Sequence, residues 1–329
     1  MKYRYDISHS LQKLKSRTST IFSALALGVA GIITVIAIPI AAHASSSAIY
    51  NNIPNPQPGN VVSLAFEATG TSEFGGQVGF EGAARSNPTV TVLMSSWGCE
   101  NGNWHSNNCS TTPGKTFSVP ITLNVYNVGT GTTQGSAPGS LITSLTKTFA
   151  IPYRPSADTR CFGDQIGKWF STADNTCYNG FATPISFDLA NVTLPAQAVI
   201  SVAYNTTDYG HNKVGPSLCS ATAAGCGYDS LNVGTVDSLT VGSQPKPNDA
   251  YQDTVYDSCT DGSINPFGLD VGCWTGQQPA FKVTASQALP TSKDNCKNDG
   301  WKTYGSSFKN QGDCVSFVAT NGKNQPSGN

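Results

Sequence analysis

The sequence predicts an all-β fold: an antiparallel two-sheet sandwich, jelly-roll-like, with a small disulfide-stapled C-terminal segment. Three observations carry that prediction. Apolar residues alternate with polar ones at period two through most of the chain. Clusters of Gly, Pro, Asn and Ser separate the alternating runs. Convincing amphipathic helical patterns are missing between them. Composition agrees, since of 329 residues only 12% are charged and 38% are hydrophobic. That mixture suits an extracellular β protein with long polar loops.

The predicted strands follow in order. "VVSLAF" (61–66), "TVTVLM" (89–94), "SVPITLNVYNV" (118–128), "SLITSLTKTFAI" (140–151), "PISFDLA" (184–190) and "QAVISVAYN" (197–205) alternate or are rich in β-branched residues. Alternation turns one face of each strand inward and the other toward water. "NPQPGN", "GTGTTQGSAPGS" and "GSQPKPND" read as turns. "SLNVG" (230–234) and "SLTVG" (238–242) read as two strand–turn units, and "FKVTA" (281–285) as the last strand. The layout is therefore a signal peptide at 1–44, a sandwich at 45–285, a linker at 286–292 and a two-cysteine segment at 293–329.

The signal reading rests on a basic start, an apolar run from Ile21 to Ala42 and the small-x-small site Ala42-His43-Ala44. The run is long enough that retention as an uncleaved anchor is the alternative. Export implies a secreted, extracellular or cell-surface protein, with no membrane contact once the signal is cleaved. Beyond residue 44, 14 Lys and Arg face 19 Asp and Glu, a formal charge of −5. Nucleic acid is disfavoured as a partner by that charge.

All 10 cysteines lie beyond the signal. An exported chain with an even count reads as a disulfide framework. Spacing suggests five local couples: Cys99 with Cys109, Cys161 with Cys177, Cys219 with Cys226, Cys259 with Cys273, and Cys296 with Cys314. The sequence alone does not fix the pairing. Zinc is the rival, but none of these couples has Cys-x-x-Cys spacing.

The motifs "TSEFGG", "VTVLMSSWGC", "FSVPITLNVYNV", "FAIPYRPSAD", "CYNG", "YDSLNVG" and "QPAFKVTA" occur in an order that resembles an uncharacterised family of secreted bacterial β-sandwich proteins. The resemblance spans about Ile49 to Ala285. That family's first motif usually carries Asp where this chain has Gly76, which implies that any ligand role of that Asp is missing here. "CKNDGWK…FKNQGDCVSFV" resembles a short segment found behind various secreted bacterial proteins. The resemblance implies export and β architecture, and no known activity.

Several residue types could carry chemistry. A Gly-x-Ser-x-Gly elbow is lacking, and His105 and His211 both sit in loops, where a solvated histidine is the simpler reading. Glycoside hydrolysis needs two facing carboxylates, and Glu67, Glu73 and Glu81 are the candidates for a glutamate pair. The simpler reading is surface charge. Calcium takes oxygen ligands from loops. The stretch 253–270 offers Asp257, Asp261 and Asp270 as weak calcium ligands, or is an ordinary bridged loop. No other cofactor is implied. Trp104, Trp169, Tyr178 and Trp274 lie in or beside cysteine-bounded loops, as does Trp301. They could form a platform for sugar rings or pack over the disulfides. Trp97 ends a strand and reads as core. Arg154, bracketed by Pro152 and Pro155, reads as an ion pair with a loop Asp, or as a carboxylate-binding ligand residue.

The expectation is an exported, non-catalytic β-sandwich acting at the cell surface or in the matrix, with a polysaccharide or cell-wall polymer as its partner. A glycan-active hydrolase and a purely structural envelope protein are the alternatives. The C-terminal segment reads either as a retention tag or as a stapled tail docked on the acidic body. Its "QGDCVSFVAT" reads as one helical turn or a final strand.

Overall fold

The computed structural model describes residues 46–104, 106–205, 231–255 and 262–328. The signal segment, His105, His211, Cys219, Cys226, Asp257, Cys259 and Asp261 lie outside the described residues.

Two antiparallel sheets pack as a sandwich, as the alternation predicts. The first contains β1 (Ser46–Asn51), β2 (Val62–Leu64), β4 (Ser86–Ser96), β9 (Phe181–Asp188), β11 (Leu231–Val236), β14 (Gln278–Pro279) and β15 (Phe281–Ser286). The second contains β3 (Glu73–Gly79), β5 (Thr116–Tyr126), β6 (Leu141–Pro152), β10 (Gln197–Ala203), β12 (Ala250–Thr254) and β13 (Ile264–Asp270), in the order β13-β12-β3-β10-β5-β6. A separate hairpin joins β7 (Trp169–Ser171) to β8 (Thr176–Tyr178). The centre of the first sheet is β4. One edge of it pairs with β9 over Thr89–Ser96; β15 and β11 take the rest of its pairing.

Period two puts the core where the sheets face each other. Val90, Val92 and Met94 from β4 and Phe281, Val283 and Ala285 from β15 meet Val119, Ile121, Leu123 and Val125 from β5 and Ala198, Ile200 and Val202 from β10. Each large apolar side chain so buried contributes roughly 1.5–3 kcal/mol. On the opposite face of β3, β5 and β10 the same alternation places Glu73, Asn124 and Ser201.

Local chemistry moves some boundaries. "VVSLAF" gives only the three residues of β2 before a one-turn helix, α1 (Phe66–Thr69), which ends on Gly70 in the left-handed region. "SLTVG" (238–242) is not a strand; it meets β1 through one bridge, Asn51 to Val241, and through hydrogen bonds between Thr240 and Asn51. β3 escapes the pattern because "EFGGQVG" spends three of its seven positions on Gly.

The C-terminal segment builds its own small core. Cys296 and Cys314 are bridged, and Phe308 and Phe317 bury against them beneath Trp301 and Tyr304. "QGDCVSFVA" forms a helix of nine residues, α2 (Gln311–Ala319), rather than a single turn or a strand. The Asn310 side chain accepts a hydrogen bond from Asp313 N at 2.9 Å and caps its start. Among the described residues no helix is long and apolar enough to cross a membrane.

Candidate functional site

Two loops cross from one sheet to the other at one end of the sandwich: 97–114 leads from β4 to β5, and 153–180 from β6 to β9. They lack the period-two apolar pattern of the strands, so bridges and hydrogen bonds fix their course. Cys99–Cys109 closes the first and Cys161–Cys177 the second. Hydrogen bonds then lock one loop to the other. Arg154 N donates to Gly98 O at 2.9 Å, Ala157 N to Cys109 O at 3.0 Å, and Thr111 N to Ser156 Oγ at 2.9 Å. Gly167, at φ 87°, lies so close to Asn107 that a Cβ there would collide with it. Only glycine combines that angle with that approach. We refer to the pair of loops as the cap.

The cap's aromatics anchor it to the first sheet. Trp169 is buried, and its Nε1–H donates to Gly180 O at 2.6 Å. Tyr178 packs 5.6 Å from it, centroid to centroid, and donates its OH to Asp174 Oδ2 at 2.8 Å. Both rings close on Gly59. Trp97 is half-buried rather than core; its Nε1–H donates to Ser95 Oγ, and its ring meets Trp104 edge-on at 5.1 Å.

Between the loops lies an open cleft of about 360 Å³, lined by Trp104, Asn107, Asp164, Ile166, Lys168 and Asn179 among others. Ile166 is 59% exposed and Phe162, just before it on the same loop, is 80% exposed. Apolar surface is thus offered beside two carboxamides, one carboxylate and one ammonium. That combination suits a small, hydroxyl-rich ligand in size and polarity.

Three carboxylates in the cap are satisfied by nearby donors, whereas one fully buried cation is the exception. Asp158 accepts two side-chain bonds and one backbone bond from Arg160, which holds its carboxyl down at about 2. Bonding from Thr112 likewise lowers Glu100. For Asp174, burial pulls the other way, and donors from Gly59, Ser171 and Tyr178 outweigh it, so the carboxyl again sits low. Arg154 is the exception. The expected ion pair does not form. Its guanidinium is fully buried, Nη2 donates to Gly167 O at 2.6 Å, and Nη1 meets no acceptor among the described residues. Desolvation lowers its pKa to about 10, which still leaves it charged at neutral pH. Arg154 therefore lies behind the cleft wall rather than on it.

The other predicted residues separate. Trp274 lies away from the cap, packed 4.9 Å from Phe74, with its Nε1–H on Asp270 Oδ2 at 2.6 Å. Asp270 is fully buried and also accepts from Gln134 and Gln252, so its oxygens face side-chain donors rather than an open loop. Among the described residues no cluster of three or more His, Cys, Asp or Glu could hold a metal. The three glutamates do not form one group. Glu67 is buried in α1. Glu73 Oε1 accepts from Asn124, Tyr126 and Ser201. Glu81 lies past the far end of β3 and accepts from Gly242 N; β3 alone separates it from Glu73 by about 20 Å at ~3.3 Å per residue. The carboxylate opposite Glu73 is instead Asp253 on β12.

Sequence reasoning found Trp104 and missed Asn107, Asp164, Ile166, Lys168 and Asn179. These have no periodicity and no motif; only their place inside or beside cysteine-bounded segments hinted at them. Three disulfides form among the described residues, Cys273 is also bridged, and these bonds are consistent with an extracellular protein. No protein-family model, no curated protein and no solved structure matches the chain, and the family resemblance rests on its motifs alone.

Proposed function

We propose that this chain is an exported, non-catalytic β-sandwich protein that binds carbohydrate, from a polysaccharide or cell-wall polymer, in the cap cleft. The observation that carries the reading is the cleft's make-up. An indole fixed by Trp97, an exposed Ile166, the amides of Asn107 and Asn179 and two charged groups surround about 360 Å³. Sugar rings offer C–H faces to apolar surface and hydroxyls to amides. The two disulfides hold these groups in place before a ligand arrives, which lowers the ordering cost of binding. Co-sedimentation of the oxidised protein with a panel of insoluble polysaccharides and purified cell walls tests it. Pelleting reversed by free oligosaccharide, and weakened at least tenfold by Asn179→Ala, is the expected result. Failure to pellet with every polymer removes the proposal.

A second reading has one specific observation in its favour. Glu73 and Asp253 stand opposite each other on neighbouring antiparallel strands. Their Cβ atoms are then about 4.5–5.5 Å apart, so both carboxylates leave the same face of one sheet, and a pair of carboxylates on one surface is what glycoside hydrolysis uses. Release of reducing ends from any of the same polymers, lost in Glu73→Gln, would favour hydrolysis at this pair over binding at the cap.

A further inference from the structure

We infer that the cap cleft takes an acidic saccharide, one whose ring bears a carboxylate, with Lys168 meeting the anion and buried Arg154 reinforcing it from behind. This inference rests on the carbohydrate reading of the cleft and narrows it to a class of sugar.

The charge pattern points there. Between residues 45 and 292 the chain has 9 Lys and Arg against 16 Asp and Glu, so the sandwich and its loops are strongly acidic. Four cations among the described residues are ion-paired, Arg160 with Asp158, Lys246 with Asp249, Lys297 with Asp294 and Lys302 with Asp299, and the others stand without a carboxylate in ion-pair reach. Lys168, on the cleft wall, makes no ion pair among the described residues. Neither does Arg154. The cleft's one lining carboxylate, Asp164, lies beyond ion-pair distance of Lys168. Two positive charges thus stand against one negative at this point of an acidic surface.

Arg154 is the more telling of the two. A fully buried cation without a counter-ion is costly. Its guanidinium nonetheless has carbonyl partners only, Gly167 O and Pro155 O, with one nitrogen unmatched. Gly167 lies between Ile166 and Lys168, both of which line the cleft. The charge is therefore held one residue behind the wall, where surrounding protein screens it less than water would. A carboxylate entering the cleft supplies the missing counter-charge through direct contact with Lys168 and through space with Arg154. A neutral ring gains neither term. Asp164 adds selectivity, since it repels an anion at its own side of the cleft and leaves the Lys168 side as the place for it.

Matched polymers make the test. Pectate, alginate and hyaluronan are each compared with their carboxyl-reduced counterparts, in which the carboxylate becomes a neutral primary alcohol. Sulfated cellulose and its neutral parent serve as the control for anions of other kinds. The full-length oxidised protein is expected to bind at least one carboxylated polymer at least tenfold more tightly than its reduced form, with affinity falling as salt rises. Lys168→Gln is expected to lose most of that difference while keeping the thermal midpoint, because Lys168 is only half-buried. Arg154→Met should also lose it, but that variant alters a buried site, so Lys168→Gln decides. Equal binding to native and carboxyl-reduced polymers overturns the acidic-sugar inference and leaves carbohydrate binding standing. Equal preference for the sulfated polymer overturns the assignment of a carboxylate. An unchanged preference in Lys168→Gln overturns the assignment to this cleft. Binding to no polymer in any form removes both inference and parent reading.

Discussion

The sandwich and its cap are stabilised by different physics. In the sandwich, β-branched and aromatic side chains alternate with polar ones, and two sheets bury one face each. Position is fixed by packing, and nearly every inward residue is fully buried. In the cap, two loops with few inward apolar groups are fixed by covalent bridges, by loop-to-loop hydrogen bonds and by carboxylates held low in pKa. The difference has a consequence for function. A packed face has no room for a ligand, whereas a bridged loop can leave polar groups and Ile166 exposed without losing its shape.

If the two regions are independent in this way, damage to each should read differently. Phe187 is fully buried and packs edge-on to Phe149 at 5.0 Å. Phe187→Ala should cost about 3–5 kcal/mol and lower the urea midpoint of strand signal and ligand binding together; loss of one without the other would break the comparison. Next in size is the double variant Cys161→Ser/Cys177→Ser. Freeing that loop should cost roughly 3 kcal/mol by the loop-closure model. The cost should appear as lost binding and faster proteolysis within 153–180, with the far-ultraviolet strand spectrum retained. A collapse of that spectrum at 25 °C would show that the cap supports the sandwich.

Legibility in the sequence divides along the same line. β4, β5, β6, β9, β10 and β15 could be read because burial of one face forces period two, and period two is visible. β3 and β13 were not, since Gly in "EFGGQVG" and Pro and Gly in "INPFGLD" hide the alternation. The cap was readable only as cysteine-bounded loops. Nothing local says that Asn107 meets Gly167, or that Arg154 N donates to Gly98 O in the other loop; those contacts depend on two crossovers meeting in space. Trp169 and Trp274 show the limit for single residues. Both lie near cysteines, as a ligand platform would require, yet both use the indole N–H inside the protein.

Two smaller effects sharpen the contrast. Trp169→Phe keeps most of the ring but leaves Gly180 O without its donor, which should cost about 1–3 kcal/mol. The change should show as increased hydrogen exchange in β7 and β8 and leave β5 unaffected. Acid should act on the cap first. Asp158, Glu100 and Asp174 all have folded pKa values below their ordinary ones. Their contribution is therefore present above about pH 4 and is lost as pH falls toward the value of about 2 held by Asp158. Between those limits ligand binding should weaken while the strand spectrum stays constant. A sandwich that melts at the same pH would mean the carboxylates matter elsewhere.

The central claim, that the cap cleft is the ligand site, is tested most directly by hydrogen exchange with and without saturating oligosaccharide from a polymer the protein pellets with. Protection confined to 97–114 and 153–180 is the predicted result. Protection instead in 293–328, or around Glu73 and Asp253 on β3 and β12 with the cap unchanged, would contradict it.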